Sequence, residues 1–281
     1  EGRALGDVDQ RVAGDGHGVD ARAISRDVHD QRRVGAGHGD LVVALRTVDA
    51  VAGRVAAVKP QSAFFERHGS AGIAVLEETL AALRDVGTLS VLDVKRGDIG
   101  STMAGYAQAY LSDDAPTAAD AITVSPYLGY GSLTPALDLA EASGRGVFVL
   151  ALTSNPEGAA VQHAVNGERA VAAGVVEGVT ASNATASGEG RLGSIGLVVG
   201  ATVGEAVSHL EIDLLHANGP LLAPGVGAQG AGPAELESVF GAARRHVLAS
   251  TSRGVLKAGP SIEALRTAAL AATHEAATAL R

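Results

Sequence analysis

Two carboxylates and a lysine lie close together at the end of an apolar segment that reads LSVLDVKRGDIGST, residues 89–102. They are Asp93, Lys95 and Asp98. Alternate residues of a strand face the same side, so a strand over residues 89–94 brings Asp93 and Lys95 to one face. Gly97 then allows the chain to turn before Asp98. A lysine among carboxylates indicates either a structural ion-pair network or a proton-transfer site.

The use of lysine favours the proton-transfer interpretation. The chain has 22 basic residues, and three of them are lysines: Lys59, Lys95 and Lys257. Lysine can release its proton inside a protein, whereas arginine cannot. Lys59 and Lys95 both lie at the ends of predicted strands, where an α/β barrel places its catalytic groups. Lys257 is predicted to be a surface residue.

Composition narrows the class of protein. The chain has 281 residues, 46% of them hydrophobic, which suits one α/β barrel or two smaller domains. It has no cysteine, which excludes disulfides, thiolate metal ligands and a cysteine nucleophile. The net charge of −9 argues against nucleic acid as a partner. Because no apolar run approaches about 20 residues and no signal-peptide pattern is present, we expect a cytoplasmic protein without a membrane partner.

Strand and helix patterns alternate from residue 41 onward, which predicts an α/β fold with a parallel sheet. The predicted strands are residues 54–58, 89–94, 121–124, 146–152, 195–199, 221–223 and 246–250. The predicted helices are residues 41–51, 71–83, 102–111, 133–142, 168–181, 203–210, 233–243 and 261–280. A TIM-type (β/α)8 barrel has eight strands, so the first strand is predicted to be missing or replaced.

The beginning of the chain differs from the rest. Residues 1–40 show no sustained strand or helix period and are rich in Gly, Asp, Arg and His. We expect this atypical leader to be disordered or to represent translation in the wrong reading frame. A barrel domain is predicted to occupy residues 41–281.

Two segments resemble a known family. The pattern Asp93-x-Lys95-x-x-Asp98, with Ile99 and Thr102 after it, resembles the signature of orotidine 5′-phosphate decarboxylase. The segment VKPQSAFFE resembles the longer bacterial (type 2) branch of that family. The resemblance covers about residues 49–281 and identifies the barrel as a decarboxylase domain. The family's first strand ends in an Asp-Pro pair whose aspartate contacts the ribose, and this chain contains no Asp-Pro.

The resemblance implies decarboxylation of orotidine 5′-phosphate to uridine 5′-phosphate (UMP), the last step of de novo UMP synthesis. Lys95 would stabilise the carbanion at C6 of the pyrimidine and then protonate it. Asp93 would lie near the substrate carboxylate. Lys59, and Asp98 from the second subunit of a homodimer, would complete an array of alternating charges. No metal or organic cofactor is implied.

A second group of residues is predicted to bind the substrate. The glycine-rich segment GVGAQG follows the seventh expected strand, and Ser-Arg-Gly follows the eighth. Loops at these two positions often bind phosphate in barrel enzymes. Gly225, Gly227 and Gly254 would let backbone N–H groups approach the phosphate. By resemblance, Gln229 and Arg253 would contact the phosphate, Ser125 would contact the pyrimidine, and Ile99 and Thr102 would lie in the shared dimer site.

Two alternatives remain open. A magnesium-dependent decarboxylase of sugar acid phosphates shares the Asp-x-Lys-x-x-Asp pattern. A non-catalytic remnant, damaged at its N-terminus, would also retain these motifs. The first alternative predicts metal-dependent activity, and the second predicts no turnover.

Overall fold

A computed structural model describes residues 38–226 and 231–281. Its strands are β1 Ala57–Val58, β2 Leu89–Arg96, β3 Ala121–Val124, β4 Gly146–Leu152, β5 Val165–Asn166, β6 Arg169–Ala170, β7 Ile195–Val199, β8 Leu221–Pro224 and β9 Val247–Ser250. Its helices are α1 His38–Val51, α2 Ser62–Glu66, α3 Gly69–Asp85, α4 Gly100–Leu111, α5 Thr134–Ala142, α6 Ala159–Gln162, α7 Val171–Ser182, α8 Ala184–Gly188, α9 Ala206–His209, α10 Pro233–Phe240, α11 Arg253–Leu256 and α12 Ile262–Ala279. Short 3-10 helices cover Tyr130–Leu133, Pro156–Gly158 and Gly241–His246.

Seven of these strands form one parallel sheet in the order β1-β2-β3-β4-β7-β8-β9. The seven predicted strands are therefore confirmed, and so is the α/β class. The carboxyl ends of parallel strands lie at the same rim, which is where barrel enzymes place their catalytic loops. Residues 1–37, where the first strand is predicted to be missing or replaced and the leader to be disordered or out of frame, lie outside the described residues.

Helix α1 packs against the last helix, α12. Ala50 and Val51 of α1 form a small buried cluster with Leu265 and Ala269 of α12. Arg266 of α12 also donates hydrogen bonds to two backbone carbonyls near the end of α1. The two ends of the described chain are thus held together behind strand β1.

The sheet separates two apolar layers. The larger layer lies between the strands and the surrounding helices. The smaller lies on the inner face of the sheet and consists of Val91, Ala121, Phe148, Val198 and Leu222. Because side chains alternate along a strand, the residues two positions after Val91 and Ala121 also point inward. These are Asp93 and Thr123, which lie next to this inner apolar cluster, toward the carboxyl ends of the strands.

Several predicted boundaries are wrong. The helix expected at residues 203–210 is confined to Ala206–His209, and the α-helix expected at residues 233–243 ends at Phe240. The helix expected from Glu168 begins at Val171, because residues 165–170 form the antiparallel hairpin β5–β6. Asn166 pairs with Arg169, so Gly167 and Glu168 are the two central residues of the turn, and Gly167 has a φ of 66°, which favours glycine. The strand expected at residues 54–58 is confined to Ala57–Val58. In the described residues, no helix is both long and apolar enough to cross a membrane.

Candidate active site

Asp93 lies between two lysines at the carboxyl rim. Its Oδ2 accepts a hydrogen bond from Lys59 Nζ at 2.7 Å, and its Oδ1 accepts one from Lys95 Nζ at 2.5 Å. The Asp93 side chain is 9% exposed and Lys59 is 19% exposed, whereas Lys95 is 45% exposed. The Asp93 N–H donates to Pro60 O at 2.9 Å, which holds the segment after β1 against β2. Lys95 is therefore the member of the trio that is most accessible to a ligand.

The two lysines keep Asp93 ionised. Burial alone would raise the pKa of Asp93, but the charge and hydrogen bond of Lys59, together with those of Lys95, lower that pKa below its ordinary value. The carboxylate is therefore an anion at neutral pH. Each of its oxygens binds an ammonium group, so an ionised carboxylate and two amines lie within one small volume.

The backbone at Lys95 departs from regular strand geometry. Its φ is 45°, in the left-handed region that residues with a side chain rarely adopt. Strand β2 pairs regularly with β3 up to Leu92↔Ile122. The pairing is then interrupted and resumes at Arg96↔Val124. Asp93 and Lys95 do lie close together, as predicted. The strand between them is irregular, however, so their proximity does not come from the regular alternation of side chains that the prediction assumed.

Thr123 is a residue at this site that the sequence analysis missed. The Lys95 N–H donates to Thr123 Oγ1 at 3.0 Å, and Thr123 Oγ1 donates to Asp93 Oδ1 at 2.8 Å. Thr123 is 1% exposed. A single hydroxyl therefore connects the backbone of Lys95 with the side chain of Asp93. The available signal was a polar residue in the otherwise apolar segment Ala121–Val124.

The residue after Lys95 anchors the end of β2. Arg96 Nη2 donates to Glu66 Oε1 at 2.5 Å, and the guanidinium lies 5.6 Å from the centre of the Tyr106 ring. Glu66 Oε1 also accepts a hydrogen bond from Ser62 Oγ at 2.6 Å. Glu66, at the end of helix α2, is thus bonded both to Ser62 at the start of that helix and to the strand that carries the catalytic candidates.

Among the described residues, Asp98 forms no hydrogen bond or ion pair with Lys95 of the same chain. Its Oδ1 accepts a hydrogen bond from the Ile99 N–H at 2.8 Å. In the part of the chain that the structure describes, Asp98 forms no ion pair. Ile99 is 62% exposed, and Thr102 is exposed on the first turn of α4. These three residues form an accessible group at the rim.

Ser125 lies beside the turn that follows β2. Its N–H donates to Arg96 O at 2.8 Å. A Cβ at Gly97 would lie 2.2 Å from Ser125 O, so only glycine permits this close approach. Ser125 is half-buried and lies at the same rim as Asp93.

The glycine-rich segment follows β8 at the same rim. Gly225 has a φ of 97°, which favours glycine. Val226 and Ala231 form an isolated parallel bridge, which brings the ends of the intervening loop together. Gly227 and Gln229 lie outside the described residues.

The second predicted phosphate segment lies next to the first. Pro224 of β8 pairs with Ser250 of β9, so the two strands end at the same level. Arg253 is exposed and begins α11, with Gly254 after it. Gly225 and Arg253 therefore follow neighbouring strands at the carboxyl rim.

The comparisons with a family profile and with individual relatives point to the same family. The profile of the orotidine 5′-phosphate decarboxylase / HUMPS family matches residues 28–268. A Streptomyces coelicolor protein named orotidine 5′-phosphate decarboxylase is 62% identical over 223 residues, 79% of this chain and 78% of that protein. The enzyme of that name from Salinispora arenicola is 59% identical over 233 residues, covering 83% of this chain and 81% of the relative.

Solved structures share the fold. One from Streptomyces avermitilis is 58% identical, with a TM-score of 0.79 over 84% of this chain and 81% of that chain. The OMP decarboxylase of Leishmania donovani is 30% identical, with a TM-score of 0.71 over 88% of this chain and 90% of that chain. The similarity therefore covers most of the barrel and includes both groups of candidate residues.

Proposed function

This chain belongs to the orotidine 5′-phosphate decarboxylase / HUMPS family, and we propose that it converts orotidine 5′-phosphate to UMP and carbon dioxide. The observation that carries the proposal is the Lys59–Asp93–Lys95 array, in which one buried carboxylate binds two amines. We also propose a cytoplasmic location, where nucleotide precursors are synthesised.

Lys95 is the proposed proton donor. When the bond between C6 and the carboxylate carbon breaks, carbon dioxide leaves and the electron pair remains on C6. The pyrimidine ring offers this pair little delocalisation, so a fixed positive charge nearby must stabilise the transition state. The Lys95 ammonium supplies that charge and then transfers one proton to C6. The neutral amine recovers its proton from solvent after the product leaves.

Asp93 has two proposed roles. It holds the Lys95 amine in place through a hydrogen bond of 2.5 Å. Its negative charge would also lie near the substrate carboxylate and repel it. That repulsion disappears when neutral carbon dioxide forms, so it lowers the barrier if remote contacts hold the substrate in place. Lys59 compensates the Asp93 charge from the other side.

A homodimer with shared sites is part of the proposal. Asp98 forms no ion pair among the described residues of its own chain, and the adjacent Ile99 presents an apolar side chain to the surface. Both features suit a position facing a second copy. We propose that Asp98, Ile99 and Thr102 of one chain complete the site that contains Lys95 of the other.

The substrate phosphate is proposed to bind at the ends of β8 and β9. Gly225, Gly227 and Gln229 would contribute from the first loop, and Arg253 and Gly254 from the second. Glycine allows backbone N–H groups to approach phosphate oxygens, and a guanidinium can donate two parallel hydrogen bonds to them. Ser125 is proposed to contact the pyrimidine.

Replacement of Arg253 by alanine is expected to weaken UMP binding by about 10- to 100-fold, the usual contribution of hydrogen bonds to a charged group. Binding of uridine, which lacks the phosphate, is expected to change little. Isothermal titration with both ligands measures this difference. Lys257→Ala is the matched control, because it removes an exposed positive charge from the same region. Equal weakening by the two variants would assign the effect to general charge attraction.

The direct test is decarboxylation of orotidine 5′-phosphate by the purified 281-residue chain, with and without EDTA. We expect stoichiometric UMP and carbon dioxide, and equal rates in the two conditions. Loss of activity on chelation would favour the magnesium-dependent alternative. UMP binding without turnover would instead favour the non-catalytic remnant.

A further inference from the structure

We propose that Thr123 is a positioning residue that fixes Lys95 and Asp93 in their reactive arrangement. The inference deepens the proposed function and rests on it. Thr123 lies on β3, whereas both residues that it binds lie on β2. Its single oxygen accepts from the Lys95 backbone and donates to the Asp93 carboxylate.

The irregularity in β2 creates the need for such a residue. Between Leu92 and Arg96 the regular pairing with β3 is interrupted, so the Lys95 N–H does not form a regular β-ladder hydrogen bond. Thr123 Oγ1 accepts that N–H at 3.0 Å. Lys95 also has a φ of 45°, which is unfavourable and persists only where surrounding contacts enforce it. The bond to Thr123 is one such contact.

The second bond of Thr123 fixes the carboxylate. Asp93 Oδ1 accepts from both Lys95 Nζ and Thr123 Oγ1, while Oδ2 accepts from Lys59. With a donor on each oxygen, rotation of the carboxylate away from Lys95 would break at least one of these bonds. Thr123 is 1% exposed, so water cannot easily replace its hydroxyl. Only a side chain that both donates and accepts can serve this position, which excludes valine.

The kinetic test compares three variants. Thr123→Val keeps the shape but removes the hydroxyl, and we expect kcat to fall by about 10- to 100-fold, with UMP affinity changed less than about threefold. Thr123→Ser keeps the hydroxyl and is expected to retain kcat within about threefold of the parent. Thr79→Val removes another buried hydroxyl, which bonds to Val75 O within helix α3 at 2.7 Å. Thr79→Val is expected to leave kcat unchanged.

A second measurement does not require turnover. Loss of a hydrogen bond to the charged form of a carboxyl raises its pKa. The Asp93 carboxyl pKa, measured by carbon-13 NMR, is therefore expected to be higher in Thr123→Val than in the parent, Thr123→Ser and Thr79→Val. If the parent chain shows no decarboxylation, the proposed function fails, and this titration still decides whether Thr123 holds Asp93.

The proposal is overturned if Thr123→Val matches Thr79→Val in both kcat and the Asp93 pKa. It is also overturned if Thr123→Ser is impaired as strongly as Thr123→Val, since the side-chain methyl would then be the important group. Thermal unfolding of all three variants identifies any general loss of stability. A kcat loss confined to Thr123→Val at equal stability supports positioning.

Discussion

Replacement of Lys95 by alanine is expected to reduce kcat for orotidine 5′-phosphate by about 10,000-fold or more. The variant loses the general acid and the fixed charge near C6 together, and each of these typically contributes a factor of 100 or more. UMP affinity should remain measurable, because the proposed phosphate site lies on β8 and β9 and does not include Lys95. Single-turnover kinetics measures the loss of catalysis, and titration with UMP measures the affinity separately.

Two further variants sharpen this result. Lys95→Arg retains a positive charge but cannot release a proton at neutral pH. It is expected to stay at least about 100-fold below the parent, because protonation of C6 would lack its donor. Lys257→Ala, at an exposed lysine far along the chain, is expected to behave like the parent. Comparable turnover in Lys95→Ala and the parent would remove Lys95 from the mechanism.

Much of the barrel could be predicted from the sequence because strand and helix periods are local properties. Segments such as Gly146–Leu152 and Ile195–Val199 are short and almost entirely apolar, as parallel strands buried on both faces usually are. The helix predicted over residues 168–181 begins at Val171 instead, because Gly167 and Glu168 form the turn of a hairpin. Helix periodicity continued across residues that instead form the hairpin β5–β6.

The sequence suggested Lys59, Asp93 and Lys95 as candidate catalytic residues, but it did not predict the geometry in which they meet. Lys59 and Asp93 are far apart in sequence. The parallel pairing of β1 with β2 brings Lys59 Nζ to 2.7 Å from Asp93 Oδ2. The left-handed backbone of Lys95 and its bond to Thr123 depend on how β2 and β3 are offset. No sequence period encodes such an offset, and a threonine in a strand is ordinary by propensity.

The position of Asp98 could not be resolved from spacing alone. A lysine with carboxylates two residues before it and three residues after it suggested a local cluster. In the structure Lys95 binds Asp93, and Asp98 instead accepts the N–H of Ile99. A role for Asp98 beside Lys95 therefore requires a second chain, which makes the shared site a separate and testable proposal.

Mixing two inactive variants tests that proposal. Asp98→Asn and Lys95→Ala are each expected to lower kcat by at least about 100-fold, because each removes a charge from the reacting centre. In a heterodimer of the two, one site receives Lys95 from the first chain and Asp98 from the second, so that site is intact. After random exchange of subunits, half of the dimers are mixed, and each has one good site. About a quarter of the parent activity should return.

The structure also supplies the negative control. Asp93 and Lys95 bind one another within the same chain at 2.5 Å. A heterodimer of Asp93→Asn and Lys95→Ala therefore has one defective residue in each site, and mixing should restore nothing. Native mass spectrometry confirms that mixed dimers have formed in both experiments. Restoration in both mixtures, or in neither when mixed dimers are present, would show that Asp98 does not complete the neighbouring site.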